Sequence, residues 1–229
     1  TIGVACACAT VGIVVGMATL TGLALRVAGT IIALSGGKLL STLILAMCSS
    51  ILLGTGLPTT ANFIITSMMV APSLLQLGVP ALAAYMFVFY FGIAADLSPP
   101  VALAAYAGAG IAGSDPMKTG FTAFKLALAG FLVPYIYVYN PILLLIDYRP
   151  LPFAQAVATA VMGIFLLGMS TIGFYKAEMS VPFRALAMAG AFGLLIPGTK
   201  SDLFGLAVLI TVHLWQTAKA KKARPTAGE

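Results

Sequence analysis

The chain is a series of long apolar runs cut at a few places by Gly, Pro, Ser, Thr and Asn, with most charges near the junctions. A membrane helix needs about 20 apolar residues to cross the hydrocarbon core. On that ruler residues 2–25 predict a first span, rich in Gly12, Gly16 and Gly22, whose small surfaces allow close helix packing. Residues 26–37 predict a connecting arm ending in the turn Ser35-Gly36-Gly37. Two apolar arms follow, 38–53 and 61–77, and read as a helical hairpin over 38–78 with the tip Gly54-Thr55-Gly56-Leu57-Pro58-Thr59-Thr60. Residues 81–95 and 101–112 are each too short to span, but joined through Asp96-Leu97-Ser98-Pro99-Pro100 they predict one broken helix over 81–112. After the polar turn Gly113-Ser114-Asp115-Pro116, residues 119–146 predict a long span with kinks at Pro134 and Pro141. Asp147-Tyr148-Arg149-Pro150 closes it, and further spans at 153–174, 182–197 and 203–216 complete residues 147–229.

Composition sets the solvent. With 61% hydrophobic and 8% charged residues over 229 positions, no water-facing surface can be assembled, so the fold class is an all-α polytopic membrane protein. The net charge of +6 does not point to nucleic acid, because Lys219, Lys221, Lys222 and Arg224 form a basic tail directly after the last apolar run. Such a tail reads as a cytoplasmic anchor. Counting spans back from it puts Lys176 and Arg184 on the cytoplasmic side, 147–150 outside, Lys118 and Lys125 on the cytoplasmic side, and both ends of the hairpin outside. Arg26 and Lys38 then fall outside and count against the scheme, unless the connecting arm lies at the interface, where basic side chains snorkel. Cys6, Cys8 and Cys48 stand in apolar runs, where a thiol behaves as a small hydrophobe. The start, Thr1-Ile2-Gly3, has neither methionine nor a charged leader and reads as the interior of a longer protein.

Candidate chemistry gathers at the two interruptions. A break frees backbone carbonyls and amides, which at membrane depth are tolerated only when buried in protein or lining a polar cavity. Two interrupted helices carrying small hydroxyl side chains are the materials of an intramembrane ion or substrate site. Thr59, Thr60 and Asn62 offer side-chain oxygens and Gly54 and Gly56 offer carbonyls, a set suited to a hard cation such as sodium. Asn62 and Thr66 carry the polar character from the tip into the second arm, although an ordinary loop between two full spans also explains 54–60. Asp96 is an acid beside a broken helix, and an intramembrane acid is a functional candidate because of its desolvation cost. The other reading is a shallow cap for the following half-helix, and Ser98 serves either role equally well. Asp115 reads as the cap of the long helix, His213 and Trp215 as interfacial residues, and Tyr85, Phe87, Phe89, Tyr90 and Phe91 as packing that could also flank a substrate. An intramembrane hydrolase using Asp96 or Ser98 is disfavoured, since a serine nucleophile needs a nearby base and the single histidine, His213, is in the terminal span. A structural membrane subunit of a transport complex is the remaining alternative.

Five segments in order resemble one family: Gly-Thr-Gly-Leu-Pro-Thr-Thr-Ala-Asn at 54–62, Phe-Val-Phe-Tyr-Phe at 87–91, Ser-Pro-Pro-Val-Ala-Leu-Ala-Ala-Tyr at 98–106, Ala-Gly-Ser-Asp-Pro-Met at 112–117 and Val-Tyr-Asn-Pro at 138–141. Over residues 1–146 the chain is similar to the carboxy-terminal half of the large membrane subunit of tripartite ATP-independent periplasmic (TRAP) transporters, in the variety with fused small and large subunits. The resemblance implies the second inverted repeat of an ion-transporter-superfamily elevator fold, in the inner membrane, importing an organic acid anion with sodium as the coupling ion and no other cofactor. It implies as partners an extracytoplasmic substrate-binding protein and the N-terminal half or small membrane subunit. The cation-binding set is then Gly54, Gly56, Thr59, Thr60, Asp96 and Ser98. The anion is expected at Pro58, Asn62, Pro99 and Pro100, where half-helix N-termini favour negative charge. The chain departs from many unfused relatives, which place an aspartate soon after the tip glycine where this one reads Leu57-Pro58-Thr59-Thr60. That puts cation coordination on neutral oxygens or on Asp96.

Overall fold

The computed structural model describes residues 2–99, 101–195 and 198–223; Thr1, Pro100, Pro197 and Arg224, which figure in the sequence reading, lie outside the described residues. Apart from one isolated β-bridge, Phe174 with Glu178, every regular element among the described residues is helical. The chain divides into two compact units, Thr1–Phe124 and Lys125–Glu229.

The first unit opens with α1 (Ile2–Leu20) and α2 (Leu23–Ser35). The first span therefore stops five residues short of the predicted 25: Gly22 takes φ 67°, a left-handed conformation that only glycine adopts freely, and α2 leaves at 73° to the end of α1. The connecting arm is thus itself a helix. It buries Ala28, Ile31 and Ser35 along one face and exposes Leu25, Arg26 and Leu34. Gly36 ends it at φ 62°, with Gly36 N–H donating to the Ala33 carbonyl and Gly37 N–H to the Ile32 carbonyl, which satisfies the last turn. A buried bond from Thr42 Oγ1 to Ser35 Oγ, 2.7 Å, then ties the arm to α3 (Leu39–Gly54).

The predicted second hairpin arm, 61–77, is two helices, α4 (Thr59–Met69) and α5 (Ala71–Gln76). Pro72 is the cause: lacking an N–H, it cannot bond the Met68 carbonyl, and Ser73 N–H reaches only to Val70, 3.0 Å. Both arms pack against α6 (Ala81–Ala94), the first half of the broken helix. Their fully buried side chains include Leu43, Val70, Leu74, Phe87, Val88 and Phe91. Phe87 and Phe91 meet edge to face at 4.8 Å, and Phe63 of α4 meets Phe89 of α6 at 5.3 Å, so this aromatic run is largely packing. The second half is α7 (Leu103–Ala112), ended by Gly113 at φ 65°. Asp115 Oδ1 then accepts the Lys118 N–H at 2.9 Å, capping α8 (Pro116–Ala127) as the sequence predicts. At 16 residues α3 is about 24 Å long, less than the hydrocarbon core.

In the second unit the expected continuous span 119–146 is segmented. After α8 come a 3₁₀ turn at Gly130–Leu132, α9 (Val133–Tyr139) and a second 3₁₀ turn at Pro141–Leu144. Pro134 and Pro141 cannot donate backward, so each marks the start of a piece rather than a bend inside one. Leu145 and Asp147, at φ 62° and 52°, turn the chain into α10 (Pro150–Ile172). Among the described residues this is the one continuous helix long and apolar enough to cross a membrane. It begins at Pro150 rather than 153. α11 (Val181–Leu195) and α12 (Thr199–Ala223) follow, and α12 carries Lys219, Lys221 and Lys222 within the helix rather than on a separate tail. The three helices pack through Leu166, Leu167, Ala187, Ala191, Val208 and Val212.

The α10–α11 connection is held by specific bonds. Arg184 Nε donates to the Ser170 carbonyl at 2.9 Å and Nη2 to the Thr171 carbonyl at 3.0 Å, while Ser170 Oγ donates back to the Arg184 carbonyl at 2.7 Å. The guanidinium so caps carbonyls that α10 cannot satisfy internally. Arg184→Ala is expected to lower the unfolding midpoint of the purified protein, reflecting a loss of about 2 kcal/mol for two charge-assisted bonds. Arg184→Lys should recover only part of it, because an ammonium lacks the planar fork. Farther along, Ala177 N–H donates to Gln216 Oε1 at 2.9 Å, Tyr175 Oη meets His213 Nδ1 at 3.1 Å, and Trp215 stacks on Phe183 at 3.7 Å. His213 and Trp215 thus bind elements within the unit, beyond the interfacial role read from sequence.

Candidate ion and substrate site

The hairpin tip is a tight turn. α3 ends at Gly54, Leu57 N–H reaches back to the Gly54 carbonyl at 3.4 Å, Gly56 takes φ 76°, and Pro58 precedes the first helical residue of α4, Thr59. Gly56, Pro58, Thr59 and Thr60 are exposed, whereas Gly54 is buried.

Behind the tip the packing is very close. A methyl group on Gly54 would sit 2.7 Å from Asn62 Nδ2, 2.7 Å from the Gly92 carbonyl oxygen and 3.2 Å from Ala95 Cβ. One on Gly92 would sit 2.7 Å from Asn62 Nδ2 and 3.0 Å from Oδ1. The Asn62 amide is therefore held between two glycines, one closing the first hairpin arm and the other two residues before the end of α6. Asn62 is 3% exposed, and its buried Oδ1 has no hydrogen-bond partner among the described residues.

The break lies just beyond. α6 passes into a 3₁₀ turn, Ala95–Leu97, that includes half-buried Asp96. Buried Ser98 donates its hydroxyl proton to the Ala94 carbonyl at 2.8 Å, which leaves the oxygen lone pairs free to accept or coordinate. Ala102, fully buried, takes φ 33° and ψ 44° before α7 begins. A non-glycine residue in the left-handed region costs about 1–2 kcal/mol. Strain of this kind persists only where the surroundings over-determine it.

The structure thus brings Gly54 and Asn62 against Gly92 and Ala95, with Asp96 and Ser98 on the next turn. It leaves Gly56, Pro58, Thr59 and Thr60 on the exposed side of the tip; Pro99 is half-buried, and Pro100 lies outside the described residues. Two residues escaped the sequence reading. Gly92 is a lone glycine inside an apolar helical run, a signal of close approach that aromatic neighbours obscured. Ser50, fully buried on the face of α3 that carries Gly54, has a hydroxyl without a hydrogen-bond partner among the described residues.

The family model described as "Tripartite ATP-independent periplasmic transporter, DctM component" matches residues 1–151. The chain belongs to this family. DctM components are inner-membrane parts of TRAP transporters that work with a substrate-binding protein and a small subunit, and the family is one of transporters rather than enzymes. The match takes in the hairpin and the broken helix and stops at the beginning of α10, so α11 and α12 fall outside the DctM region. No curated protein and no solved structure matches the chain.

Proposed function

We propose that this chain is the second transport repeat, residues 1–146, of a sodium-coupled DctM permease, followed by additional C-terminal spans. It imports an organic acid anion delivered by an extracytoplasmic binding protein. The carrying observation is the seating of the hairpin base on the broken helix: Gly54 and Asn62 lie against Gly92 and Ala95, one turn from Asp96 and Ser98. Carbonyls at the ends of α3 and α6, each of which keeps a second lone pair, offer oxygens with the Ser98 hydroxyl to a hard monovalent cation. Asp96, in the 3₁₀ turn that follows α6, supplies a charge that can balance it. The exposed start of α4, with Thr59 and Thr60 after Pro58, presents unpaired N–H groups and a positive helix end to a carboxylate. Pro99, half-buried at the break, is assigned to the anion as well. The closed position of Asn62 favours a coordinating role over contact with a mobile substrate. The C-terminal end of α12 faces the cytoplasm in this reading, and two inverted repeats move the site across the membrane as an elevator.

The test uses the complete permease with its binding protein in proteoliposomes. An inward sodium gradient is expected to drive accumulation of a radiolabelled carboxylate at least about 10-fold over a potassium control, since a 10-fold gradient stores about 1.4 kcal/mol per ion. No accumulation under sodium overturns the reading. Uptake driven by a proton gradient instead transfers the coupling role to Asp96, and Asp96→Asn then abolishes it.

A further inference from the structure

The Val-Tyr-Asn-Pro segment at 138–141 has no part in the hairpin or the broken helix. In the second unit its Asn140 lines a half-open pocket of about 190 Å³, together with residues of α10, α11 and α12. The other polar side chains of the lining are Gln155, Thr159 and Asp202, and Ile136, Ala160 and Leu195, which pack against one another, contribute to its apolar wall. Asp202 is the one charged side chain among the described residues of the lining.

The bonds already made there leave mainly acceptors. Gln155 Nε2 donates to Asp202 Oδ2 at 3.0 Å, so Asp202 Oδ1 and Gln155 Oε1 keep their lone pairs. The Thr159 hydroxyl spends its proton on the Gln155 and Ala156 carbonyls, at 3.1 and 3.2 Å, and its oxygen can still accept. Helix ends add little net charge: α9 and α11 end at the pocket, α10 and α12 begin at it, and dipole ends of roughly half a charge each nearly cancel. The Asp202 carboxylate therefore sets the sign. One carboxylate with several neutral oxygens over an apolar wall suits a primary ammonium, which brings three donors and a positive charge on a carbon chain.

Depth in the membrane says where that ammonium comes from. α10 is long and apolar enough to span, and its lining residues fall in its first half, Ala160 being about 15 Å from its start. The pocket thus begins at the membrane interface, where lipid headgroups lie, and runs toward the hydrocarbon. Arg149, exposed at the N-cap of α10 and one turn before Pro152 of the lining, is a cation at that interface end, available to the phosphate two carbons from an ethanolamine nitrogen. We propose that this pocket binds the headgroup of a primary-amine phospholipid, its ammonium on Asp202, Gln155 and Thr159. The proposal is independent of sodium coupling, and it gives the helices beyond the DctM match a ligand of their own.

The test takes the complete purified permease, delipidated and re-exposed to phosphatidylethanolamine, phosphatidylcholine or phosphatidylglycerol. Retained lipid is counted by native mass spectrometry, and the unfolding midpoint is followed as each lipid is titrated. Wild type is expected to hold phosphatidylethanolamine about 10-fold more tightly than phosphatidylcholine, whose trimethylated nitrogen keeps the charge but has no N–H, and than phosphatidylglycerol, which has no cation. Asp202→Asn removes the charge at nearly constant shape, and Thr159→Leu fills the pocket with an apolar side chain. Each should erase that preference, while Asp147→Asn, an exposed acid before α10 that is not among the lining residues, should keep it. Equal retention of the three lipids by wild type, or an undiminished preference in both pocket variants, overturns the proposal. Protection by free ethanolamine without retention of the phospholipid also overturns it, making the occupant a soluble amine.

Discussion

Gly54→Ala is expected to abolish sodium-driven uptake, with purified protein still obtained at reduced stability. The added methyl meets Asn62 Nδ2 and the Gly92 carbonyl oxygen at 2.7 Å each, and Ala95 Cβ at 3.2 Å. Neither of the two closest atoms has an easy retreat. Gly92 O is backbone, and the Asn62 amide is blocked on its far side by Gly92, where the approach is equally tight. The methyl must therefore push α3 away from α6. Overpacking of this sort costs about 1–3 kcal/mol, a fraction of folding stability. The loss of function should be larger, because displacing the hairpin base by even a fraction of an ångström separates the oxygens it contributes from those of the break. Two alanines serve as controls. At Gly56, φ 76° imposes backbone strain of about 1 kcal/mol, but an added methyl would meet no other described residue within 4 Å, so uptake should fall modestly. At Gly108, in α7, no described residue would meet the methyl within 4 Å and the φ is ordinary, so Gly108→Ala should be neutral or slightly stabilising. Uptake and unfolding midpoint measured on all three decide the matter: a Gly54→Ala permease that transports like Gly108→Ala removes the need for close seating of the tip on the break.

Much of the first unit could be read from sequence because its signals are chemical and local. The tip at 54–60 combines Gly and Pro with threonine hydroxyls, the break at 96–100 combines Pro with Asp and Ser, and a helix ends at each. The Asp115 cap was legible for the same reason, being a short-range bond to Lys118 N–H. Less legible were features set by one residue within an apolar run. Gly22 turns the first span by 73°, yet in sequence it looks like the packing glycines Gly12 and Gly16. Pro72 divides the second arm although its neighbours read as a continuous helix. At the site, sequence identifies oxygen-bearing residues but cannot say which are sealed. Thr59 and Thr60 turn out exposed, and Asn62 and Ser50 buried, because burial depends on which face of each arm meets α6. The Gly92 contact joins residues 30 or more positions apart in the chain, and no local pattern encodes that approach.

Gly205→Ala is expected to cause the largest loss of stability in the second unit while sparing transport by the molecules that remain folded. A methyl there would overlap Leu194 Cγ and sit 2.7 Å from the Gly190 carbonyl and 2.9 Å from the Leu194 amide nitrogen. The opposing surface is equally tight, since a methyl on Gly190 would lie 2.5 Å from Val208 Cγ1. α11 and α12 thus meet glycine to backbone, and in lipid no hydrophobic driving force between helices compensates for lost contact. With backbone as the obstacle, the cost should exceed the usual overpacking range, about 3 kcal/mol or more. Gly168→Ala in α10, where no described residue would meet the methyl within 4 Å, provides the neutral comparison. Because α11 and α12 lie beyond the DctM match and the hairpin and break lie wholly in the first unit, the defect should show in yield and unfolding midpoint. Uptake normalised to folded protein, and the sodium concentration for half-maximal uptake, should stay near wild type. A normalised rate that falls with the midpoint would instead give the C-terminal helices a part in transport itself, and the coupling site could then no longer be assigned to the hairpin and the broken helix alone.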